Sequence, residues 1–303
     1  MIHIFIINNF AGSGTAAQNL REHLSKKDDL RYFVFNTINA GFETTIVRKI
    51  CKYFEDEKLR FYCCGGSGTM RNILSGLDDL TNYEVAFYPC GLTNDFLKCF
   101  GENSKEFEDI DNLIDGKVIK VDYINTNHGI CLNTVSLGLD AKVVESMVRF
   151  RPYSIFGSEV PYVLSLIYSI FSSKTREFEI TIDGKKEIIN SAEIVFGNGE
   201  VLGGNMYISE NPKIDDGLGS YFIVEDKQGI SQIPYVQYTM KKEFDKMRAT
   251  SLFGTCQSIT IRSLDGKPIY INQDGEFIEG GEFWHAEIVN KGLNFVVPKS
   301  VSI

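Results

Sequence analysis

Three glycine-containing turns in the first half of the chain have residue types that bind phosphate groups. They are Asn8–Gly14, Gly65–Thr69 and Pro89–Phe96, and each lies between a predicted strand and a predicted helix. In an open parallel sheet, this is where a ligand crevice forms. Glycine lets backbone N–H groups approach an anion, and a helix N-terminus favours negative charge. Helix capping alone explains one such turn, whereas three turns at one sheet edge favour a phosphate-bearing ligand.

Several common active-site motifs are missing from the sequence. The chain has neither GxxxxGK[ST] nor GxGxxG, which disfavours a P-loop nucleoside triphosphatase and an ordinary dinucleotide-binding site. Its four histidines show no HExxH or HxxxH spacing and its seven cysteines form no CxxC pair, so a zinc site is not expected. Ser67 does not lie in a GxSxG turn, which argues against a hydrolase nucleophile. The cysteine pattern indicates a reducing compartment.

The hydrophobic pattern shows which elements must position these turns. Continuously apolar runs at Ile2–Ile7, Tyr32–Phe35, Phe61–Cys64 and Val85–Tyr88 are typical of strands buried on both faces. Between them, apolar residues recur every three to four positions, as in amphipathic helices. This alternation of strands and helices predicts a parallel sheet with right-handed crossovers. We therefore predict an α/β domain over residues 1–121.

The pattern changes after about Val121. Strand-like segments follow one another through turns such as Asp183-Gly184, and the alternation in Phe178–Ile182 indicates strands with one solvated face. Helices are predicted near Asp140–Phe150, Val160–Ser172 and Ser231–Met247. We predict an antiparallel β-sandwich domain over residues 122–303, with the C-terminal segment as a candidate to return to the first domain.

The charge balance limits the partners of the protein. With 31 Lys and Arg residues against 40 Asp and Glu residues, the net charge is −9. Such a chain is not expected to bind nucleic acid, or to dock on an anionic membrane through its overall field. The sequence shows no targeting signal, and its longest apolar stretch, Val160–Phe171, is shorter than the roughly 20 residues that a membrane span needs. We therefore expect a cytoplasmic protein.

Taken in order, the motifs resemble those of one enzyme superfamily. Gly65–Thr69 is similar to the GGDGT signature shared by diacylglycerol, sphingosine and NAD kinases, and Pro89–Phe96 resembles the P-x-G-T-x-N-D-F segment of the lipid-kinase branch. Further matches follow in family order: Asn8 with Gly12, Thr37, Leu132–Asp140, Gly203–Met206, Asp215–Leu218 and Asp274–Glu276. On these motifs, which run along nearly the whole chain, the protein is identified as a member of the bacterial diacylglycerol-kinase-like family.

The resemblance implies a fold, a reaction and a set of site residues. Members of this family join a Rossmann-like nucleotide domain to a β-sandwich domain, and transfer the γ-phosphoryl group of ATP to a lipid hydroxyl with Mg²⁺. The implied nucleotide-binding residues are Asn8, Gly12, Thr37, Gly65, Gly66, Ser67, Gly68, Thr69, Arg71, Gly91, Thr93 and Asn94. Asp95 is implied as a catalytic residue at the phosphate and metal end of the site.

Phosphoryl transfer needs a carboxylate that takes the proton of the acceptor hydroxyl. Asp274 and Glu276 match the DGE segment in which the family places its proton acceptor. The resemblance leaves open which of the two residues acts. Asp274-Gly275 is also an ordinary hairpin turn, so a purely structural role is the alternative.

A further segment, Asp215–Leu218, resembles a structural Mg²⁺ loop of the family. The implied ligands are the Asp216 carboxylate and the backbone carbonyls of Lys213 and Leu218. Carboxylate and carbonyl oxygens suit this cation. The alternative interpretation of Asp216 is a solvated turn.

Several positions along the implied nucleotide edge depart from the family pattern. Ser67 stands where the family has the Asp of GGDGT, Leu92 where it has Thr, Asn9 where it has Pro, and Arg71-Asn72 replaces an Asn-Glu pair. Serine removes a negative charge and offers one neutral hydroxyl in place of two acceptor oxygens. Two explanations stay open. The first is an active kinase with a rearranged phosphate site, in which Arg71 supplies positive charge to the phosphates and Asp95 or Asp274 keeps the metal ion. The second is a nucleotide- or lipid-binding relative with little or no kinase activity.

A third hypothesis is an NAD-kinase-like enzyme that acts on a small polar substrate. It predicts a polar site, whereas a lipid kinase needs an apolar pocket. The segment Tyr153–Phe171 could line such a pocket, or it could be a buried helix that completes the core. A lipid alcohol substrate also requires transient membrane contact through a local basic or apolar patch, because the net charge of −9 opposes docking. The edge strands of a sandwich offer a surface for a homodimer.

Overall fold

A computed structural model of the chain describes residues 1–9, 11, 15–39, 41–91, 94–157 and 160–301, with the backbone alone for residues 15–17. The chain forms two compact units. The first contains Met1–Tyr123, Ile214–Asp216 and Val289–Ile303, and the second contains Ile124–Lys213 and Gly217–Ile288. Among the helices described, none combines the length and the apolar composition that crossing a membrane would need.

The first unit is built on a parallel sheet. Its strands are β1 (Ile2–Ile7), β2 (Tyr32–Asn36), β3 (Leu59–Gly65), β4 (Glu84–Pro89) and the greater part of β5 (Lys117–Thr126). Its helices are α1 (Thr15–Leu24), α2 (Phe42–Tyr53), α3 (Ser67–Leu74) and α4 (Ile110–Ile114), with a 3₁₀ segment at Asp95–Glu108. β1 pairs in parallel with β2 and β3, and β3 pairs in parallel with β4. The strands predicted from the apolar runs are confirmed.

The burial predicted for β2 is wrong. β1 and β3 are buried along their whole length, whereas β2 alternates between half-buried and exposed positions, and Phe33 is 40% exposed. The reason is position, because β2 ends the strand order of this sheet among the described residues. An edge strand has a neighbouring strand on one side only, so fewer side chains cover it.

The aromatic core of the first unit holds the segment that begins at Asp95. The Phe295 ring lies 5.3 Å from the Phe96 ring and 6.1 Å from the Phe107 ring, measured between centroids. Both partners belong to the 3₁₀ segment, and all three side chains are buried. The C-terminal part of the chain therefore fixes the segment that carries Asp95.

The second unit consists mainly of antiparallel strands. They are β6 (Gly129–Cys131), β7 (Thr134–Gly138), β8 (Arg176–Ile182), β9 (Lys185–Gly197), β10 (Val201–Leu202), β11 (Met206–Tyr207), β12 (Gly219–Glu225), β13 (Leu252–Cys256), β14 (Ser258–Ser263), β15 (Tyr270–Gln273), β16 (Glu276–Glu279) and the start of β17 (Phe283–Val297). From Val289 onward, β17 belongs to the first unit. β9 pairs with β8 through its first half, and with β7 and β12 through its second half. β17 pairs with β14 at its start and with β4 at its end.

The core of the second unit follows the predicted alternation. Phe178 and Ile180 on β8 are buried together with Trp284, while the intervening Glu179 is half-buried. The α/β unit and the antiparallel β unit confirm the predicted fold class.

The helices of the second unit are α5 (Leu139–Phe150), α6 (Val160–Ser172), α7 (Ile233–Met240) and α8 (Phe244–Thr250), with 3₁₀ segments at Arg151–Phe156 and Gly229–Gln232. The first two agree with the sequence. The single helix predicted over Ser231–Met247 is wrong, because α7 and α8 divide it. Lys242 between them has a φ of 57°, a left-handed conformation that cannot continue a right-handed helix. Pro234 in the first turn of α7 explains where that helix begins.

Candidate active site

The carboxyl ends of β1, β2 and β3 meet at one edge of the sheet in the first unit. The backbone N–H of Asn8 donates to the Cys64 carbonyl at 2.9 Å, and that of Thr37 donates to the Ile7 carbonyl at 3.0 Å. The Asn8 side-chain amide donates to the Thr69 hydroxyl at 2.9 Å. The predicted residues Asn8, Thr37 and Thr69, taken from three separate segments, therefore lie along the same edge, which we call the strand-end edge.

Gly65 and Gly91 are required by close packing at this edge. A Cβ atom on Gly65 would lie 2.5 Å from the Thr69 hydroxyl oxygen, and one on Gly91 would lie 2.7 Å from the Gly66 Cα. Close packing does not explain the glycine at position 68, since a Cβ there would meet no heavy atom of the described chain within 4 Å. Glycine costs about 1 kcal/mol relative to alanine inside a helix. The space at Gly68 favours a ligand that approaches the backbone.

The N-terminus of α3 points to the same kind of ligand. Gly66 is the N-cap residue, and no side chain of the described residues caps the helix. An uncapped first turn leaves backbone N–H groups available to an anion. The Ser67 hydroxyl, at the family's Asp position, is half-buried and forms no hydrogen bond within the described chain.

Asn94 and Asp95 follow β4 at the same edge. The Asn94 amide donates to the Gly91 carbonyl at 2.9 Å and its side-chain oxygen accepts from the Gly91 N–H at 3.2 Å. Asn94 has a φ of 45°, which asparagine tolerates better than most residues. The backbone conformation and the two bonds to Gly91 therefore explain the asparagine at this position without a ligand. Asp95 is buried, with its carboxylate 3.3 Å from the Lys98 ammonium. The predicted residues Gly12 and Thr93, and the departure at Leu92, lie outside the described residues.

Two arginines of the first unit are candidates to supply positive charge at the strand-end edge. Arg71, predicted for that role, is half-buried on α3 about one turn after Ser67. Sequence reasoning missed Arg21, whose guanidinium donates to the Asn36 side-chain oxygen at 2.5 Å and to that of Asn9. Arg21 therefore lies at the ends of β1 and β2. The sequence carried one signal of this contact. Asn9 stands where the family has Pro, and its amide oxygen can accept a hydrogen bond, which a proline side chain cannot do.

In the second unit, Asp274 and Gly275 form the turn between β15 and β16, with φ values of 50° and 86°. The Asp274 carboxylate accepts three backbone N–H groups, from Leu132 at 2.7 Å, Asn133 at 3.1 Å and Thr134 at 3.1 Å. Burial raises the pKa of Asp274, and these hydrogen bonds oppose the shift. Asp274 is thus a buried acid in a turn, and its carboxylate also holds the backbone of residues 132–134 in place.

The second acid of the DGE segment has a different environment. Glu276 is the first residue of β16 and is exposed, whereas Asp274 is 5% exposed. The two candidate proton acceptors therefore differ in burial and in the hydrogen bonds that a change of charge would disturb.

Asp140 and Glu193 form a buried pair to which sequence reasoning assigned no role. The Asp140 backbone N–H donates to the Glu193 carboxyl at 3.0 Å. Burial, together with the nearby charge of Asp140, raises the pKa of Glu193 well above its ordinary value of 4.5. Glu193 therefore keeps its proton to a higher pH than an exposed glutamate.

Hydrogen bonds connect this pair to the turn that carries Asp274. The Asp140 carboxylate accepts from the Ser136 hydroxyl at 2.5 Å and from the Asn272 amide at 2.6 Å. The Asn272 side-chain oxygen in turn accepts from the Gly275 N–H at 2.9 Å. Asn272 therefore joins Asp140 to the Asp274–Gly275 turn.

An apolar cavity lies beside these acids, within the second unit. The space between its walls is about 480 Å³ when the open solvent at its mouth is included. Its walls are mainly aliphatic and aromatic, with Leu202, Met206, Phe222 and Val236 among them, and its polar members include Asp140, Glu193 and Gln232. Within the described part of Tyr153–Phe171, Leu166 lines this cavity, while Ile155, Phe156 and Phe171 are exposed.

The loop implied to bind Mg²⁺ begins next to a buried carboxylate. The Asp122 backbone N–H donates to the Ile214 carbonyl at 2.6 Å, and the Asp122 side chain is buried, whereas Asp216 is exposed. The described residues contain no cluster of three or more His, Cys, Asp or Glu side chains suited to a metal ion. One carboxylate, Asp216, with the carbonyls of Lys213 and Leu218 is nevertheless an oxygen donor set that fits Mg²⁺.

Two family models match the chain. The diacylglycerol kinase catalytic domain matches residues 3–126, and the YegS C-terminal NAD kinase β-sandwich-like domain matches residues 133–295. This pairing defines the class of the protein, a diacylglycerol-kinase-type catalytic domain followed by a sandwich-like domain of the NAD kinase type. The chain belongs to the diacylglycerol-kinase-like family, as its motifs predicted.

Individual relatives agree with this family. A protein of Staphylococcus haemolyticus named "putative lipid kinase" is 28% identical over 172 residues, which are 56% of this chain and 54% of that protein. A protein of Staphylococcus epidermidis with the same description is 24% identical over 185 residues, 59% of this chain and 60% of its own length. The chain thus spans less than two thirds of the length of these curated relatives.

Solved structures show the same fold. The crystal structure of a "putative diacylglycerol kinase" from Bacillus anthracis is 23% identical, with a TM-score of 0.74 over 99% of this chain and 96% of that one. A second diacylglycerol kinase structure from the same organism is 24% identical, with a TM-score of 0.75 over 99% and 98% of the two chains.

The buried pair predicts a pH-dependent stability. Because the folded state holds the Glu193 proton above pH 4.5, the unfolded chain releases it first. This group's contribution to the free energy of unfolding is therefore largest below pH 4.5, and falls by about 1.4 kcal/mol per pH unit until the folded protein also ionises. We expect Glu193→Gln to remove this decline, as measured by urea unfolding from pH 4 to pH 8.

The matched control is Glu177→Gln, at an exposed position of β8. It should keep the slope of the parent protein. A Glu193→Gln variant whose stability declines with pH as steeply as the parent's would contradict the assignment of a raised pKa to Glu193.

Proposed function

We propose that the protein is an ATP-dependent lipid kinase, which transfers the γ-phosphoryl group of ATP to the hydroxyl of a diacylglycerol-like lipid. Membership of the family and the names of the staphylococcal relatives support the class of reaction. The observation that carries the lipid acceptor is the apolar surface of the second unit, which combines the cavity with solvent-facing aromatic and aliphatic side chains. A small polar acceptor, as in an NAD-kinase-like enzyme, requires neither feature.

The exposed surface lies on α5, α6 and the 3₁₀ segment between them. Its large apolar residues are Val148, Tyr153, Ile155, Phe156, Val163, Ile167 and Phe171, which we call the apolar helical face. Ile155 is 82% exposed and Phe156 is 72% exposed. Burying side chains of this size is worth about 1.5–3 kcal/mol each. The three elements pack on one another, and so many large exposed apolar side chains on packed elements favour an interaction site over a solvated face.

Basic residues flank the apolar helical face. Arg149, Arg151 and Lys174 are exposed in or next to the same segment, in a chain whose net charge is −9. The Arg149 guanidinium lies 5.1 Å from the centroid of the Tyr168 ring. Aromatic groups beside basic ones complement a lipid surface with anionic headgroups. We propose that this face makes the transient membrane contact.

For the nucleotide, we propose that the strand-end edge binds the ATP phosphates. The N–H groups of Gly66–Thr69 would donate to phosphate oxygens, with Asn8 beside them. Arg21 and Arg71 would balance part of the phosphate charge. Asp95 would hold a metal ion at this edge, and Mg²⁺, when bound, neutralises charge on the phosphates.

The acceptor hydroxyl must lose its proton as the new P–O bond forms. Asp274 and Glu276 are the two proposed proton acceptors. The raised pKa of Asp274 suits a general base, although its carboxylate already accepts three backbone N–H groups. Replacing each acid separately distinguishes between them.

Ser67 supports a second candidate function. A serine hydroxyl cannot supply the negative charge of the family's Asp, and this one lacks a hydrogen-bond partner within the described chain. If a carboxylate is indispensable at this position, the protein binds nucleotide or lipid without turnover. If Asp95 suffices, the protein is an active kinase.

The kinase proposal is tested by transfer of radioactive γ-phosphate from ATP to diacylglycerol in mixed micelles. We expect transfer by the parent protein, and a loss of about a hundredfold or more in whichever of Asp274→Asn and Glu276→Gln removes the base. Glu279→Gln, at an exposed position of β16, is the control and should retain activity. Melting temperatures separate lost chemistry from lost folding.

A silent parent that gains activity as Ser67→Asp would instead identify the protein as an inactive relative. Phosphorylation of NAD without phosphorylation of lipid would contradict the lipid-kinase proposal.

Membrane contact is tested by co-sedimentation with vesicles of phosphatidylcholine and phosphatidylglycerol. We expect the double variant Ile155→Ser/Phe156→Ser to bind at least about tenfold more weakly, because two large apolar side chains no longer enter the lipid. Ile188→Ser is the matched control, since Ile188 is 64% exposed on β9 outside the apolar helical face. Equal binding of the double variant and the parent would contradict the proposed contact.

A further inference from the structure

Asn272 is a buried polar residue two positions before Asp274. It lies on β15, is 4% exposed, and is paired with Ser136 of β7 in the antiparallel register. Its amide nitrogen donates to the Asp140 carboxylate at 2.6 Å, and its amide oxygen accepts from the Gly275 N–H at 2.9 Å. The Asn272 side chain therefore bonds the first turn of α5 on one side and the turn that carries Asp274 on the other.

The turn after β15 has a backbone conformation that needs support. Asp274 and Gly275 have φ values of 50° and 86°, and a residue with a side chain is less stable in this left-handed region than in the right-handed one. The Asp274 N–H donates to the Thr134 carbonyl at 3.1 Å. Gly275 is exposed, and the buried Asn272 oxygen holds its N–H from the inner side of the turn.

The two bonds explain why the residue at position 272 is an asparagine. One bond needs a donor and the other an acceptor, and a carboxamide supplies both. An aspartate would still accept from Gly275, but it would set a second carboxylate against Asp140. Asp140 is itself held in place, because its carboxylate accepts from the Ser136 hydroxyl at 2.5 Å and its backbone N–H donates to Glu193 at 3.0 Å.

The position of this turn affects both candidate proton acceptors. Asp274 belongs to the turn, and Glu276 follows it as the first residue of β16. A general base must lie within hydrogen-bond distance of the proton that it takes, and a misplacement of about 1 Å can cost about a hundredfold in rate. Because α5 packs against β15 and β16, the bond between Asp140 and Asn272 ties the turn to a packed helix.

We propose that Asn272 is a positioning residue, which holds the Asp274–Gly275 turn in the conformation from which the proton acceptor of this segment takes the hydroxyl proton. The inference rests on the proposed function for the reaction itself. It holds whichever of Asp274 and Glu276 is the base, since Asn272 acts through the Gly275 backbone.

The test compares Asn272→Ala with Ser136→Ala in the transfer of γ-phosphate to diacylglycerol in mixed micelles. Each variant removes one donor from the buried Asp140 carboxylate, so both should lower the melting temperature by similar amounts. Only Asn272→Ala also releases the Gly275 N–H. We expect Asn272→Ala to lower kcat by about tenfold or more with the KM for ATP within about twofold of the parent's, and Ser136→Ala to keep kcat within about threefold.

A second readout follows the turn itself. In protein labelled with ¹⁵N-glycine, the Gly275 N–H should exchange with solvent at least about tenfold faster in Asn272→Ala than in the parent or in Ser136→Ala. Asn125→Ala is the matched control, because Asn125 is an exposed asparagine of β5, and it should leave kcat and this exchange rate unchanged. Equal losses of kcat in Asn272→Ala and Ser136→Ala, or an unchanged exchange rate in Asn272→Ala, would overturn the inference.

A reciprocal exchange keeps the inference testable if Asn272→Ala does not fold. Asn272→Asp alone places two buried carboxylates against each other and should lose activity. The double variant Asn272→Asp/Asp140→Asn again pairs one carboxylate with one amide and keeps an acceptor for the Gly275 N–H. Its kcat should exceed that of Asn272→Asp by about tenfold or more, and a double variant no more active than Asn272→Asp would contradict the positioning role.

The outcomes also separate this inference from the kinase proposal. Faster exchange of the Gly275 N–H in Asn272→Ala, with no phosphoryl transfer by the parent, would remove the proposed activity and leave the positioning of the turn standing. Phosphoryl transfer by the parent, with an unchanged kcat in Asn272→Ala, would overturn the inference alone.

Discussion

The free-energy cost of burying carboxylates determines how several segments of the second unit are held together. Asp140, Glu193 and Asp274 are each at most 6% exposed, and a buried acid is tolerated only when hydrogen bonds or protonation compensate for lost water. For Asp274, three backbone N–H groups replace the lost water, and for Asp140 two side chains donate hydrogen bonds. Glu193 accepts one backbone N–H, and its raised pKa favours the uncharged, protonated form. These bonds fix the start of α5, the segment at residues 132–134 and the β15–β16 turn together. The proposed base turn and Asp140, which lines the apolar cavity, therefore belong to one hydrogen-bonded network.

The first unit relies on backbone geometry instead of side-chain charge. Gly65 lets Thr69 approach the end of β3, and Gly91 lets the turn after β4 pack on Gly66. With Ser67 in place of an acid, the start of α3 keeps the positive end of its dipole unopposed. Arg21 adds further positive charge to this edge. Such an edge attracts phosphate more strongly than one that carries an additional carboxylate, although it offers a metal ion fewer ligands.

The parts of the fold that depend on local periodicity could be predicted from the sequence, because strands such as β1 and helices such as α6 bury a regular set of neighbours. The break between α7 and α8 could not, since it depends on a left-handed Lys242 that no periodic pattern indicates. Motifs located the Asp274 turn, yet its three donors come from residues about 140 positions away. Arg21 and Glu193 were missed for the same reason. Their importance comes from partners that only the folded chain brings close.

Most of the assignments depend on whether the first turn of α3 holds the phosphates of ATP, and Gly68 tests this most directly. Calorimetric titration of a non-hydrolysable ATP analogue should show Gly68→Ala binding at least about tenfold more weakly than the parent. Its free energy of unfolding should stay the same or rise by up to about 1 kcal/mol, because alanine favours a helix and no described atom opposes its methyl group. ATP-analogue affinity that is unchanged in Gly68→Ala would contradict a phosphate site at the start of α3.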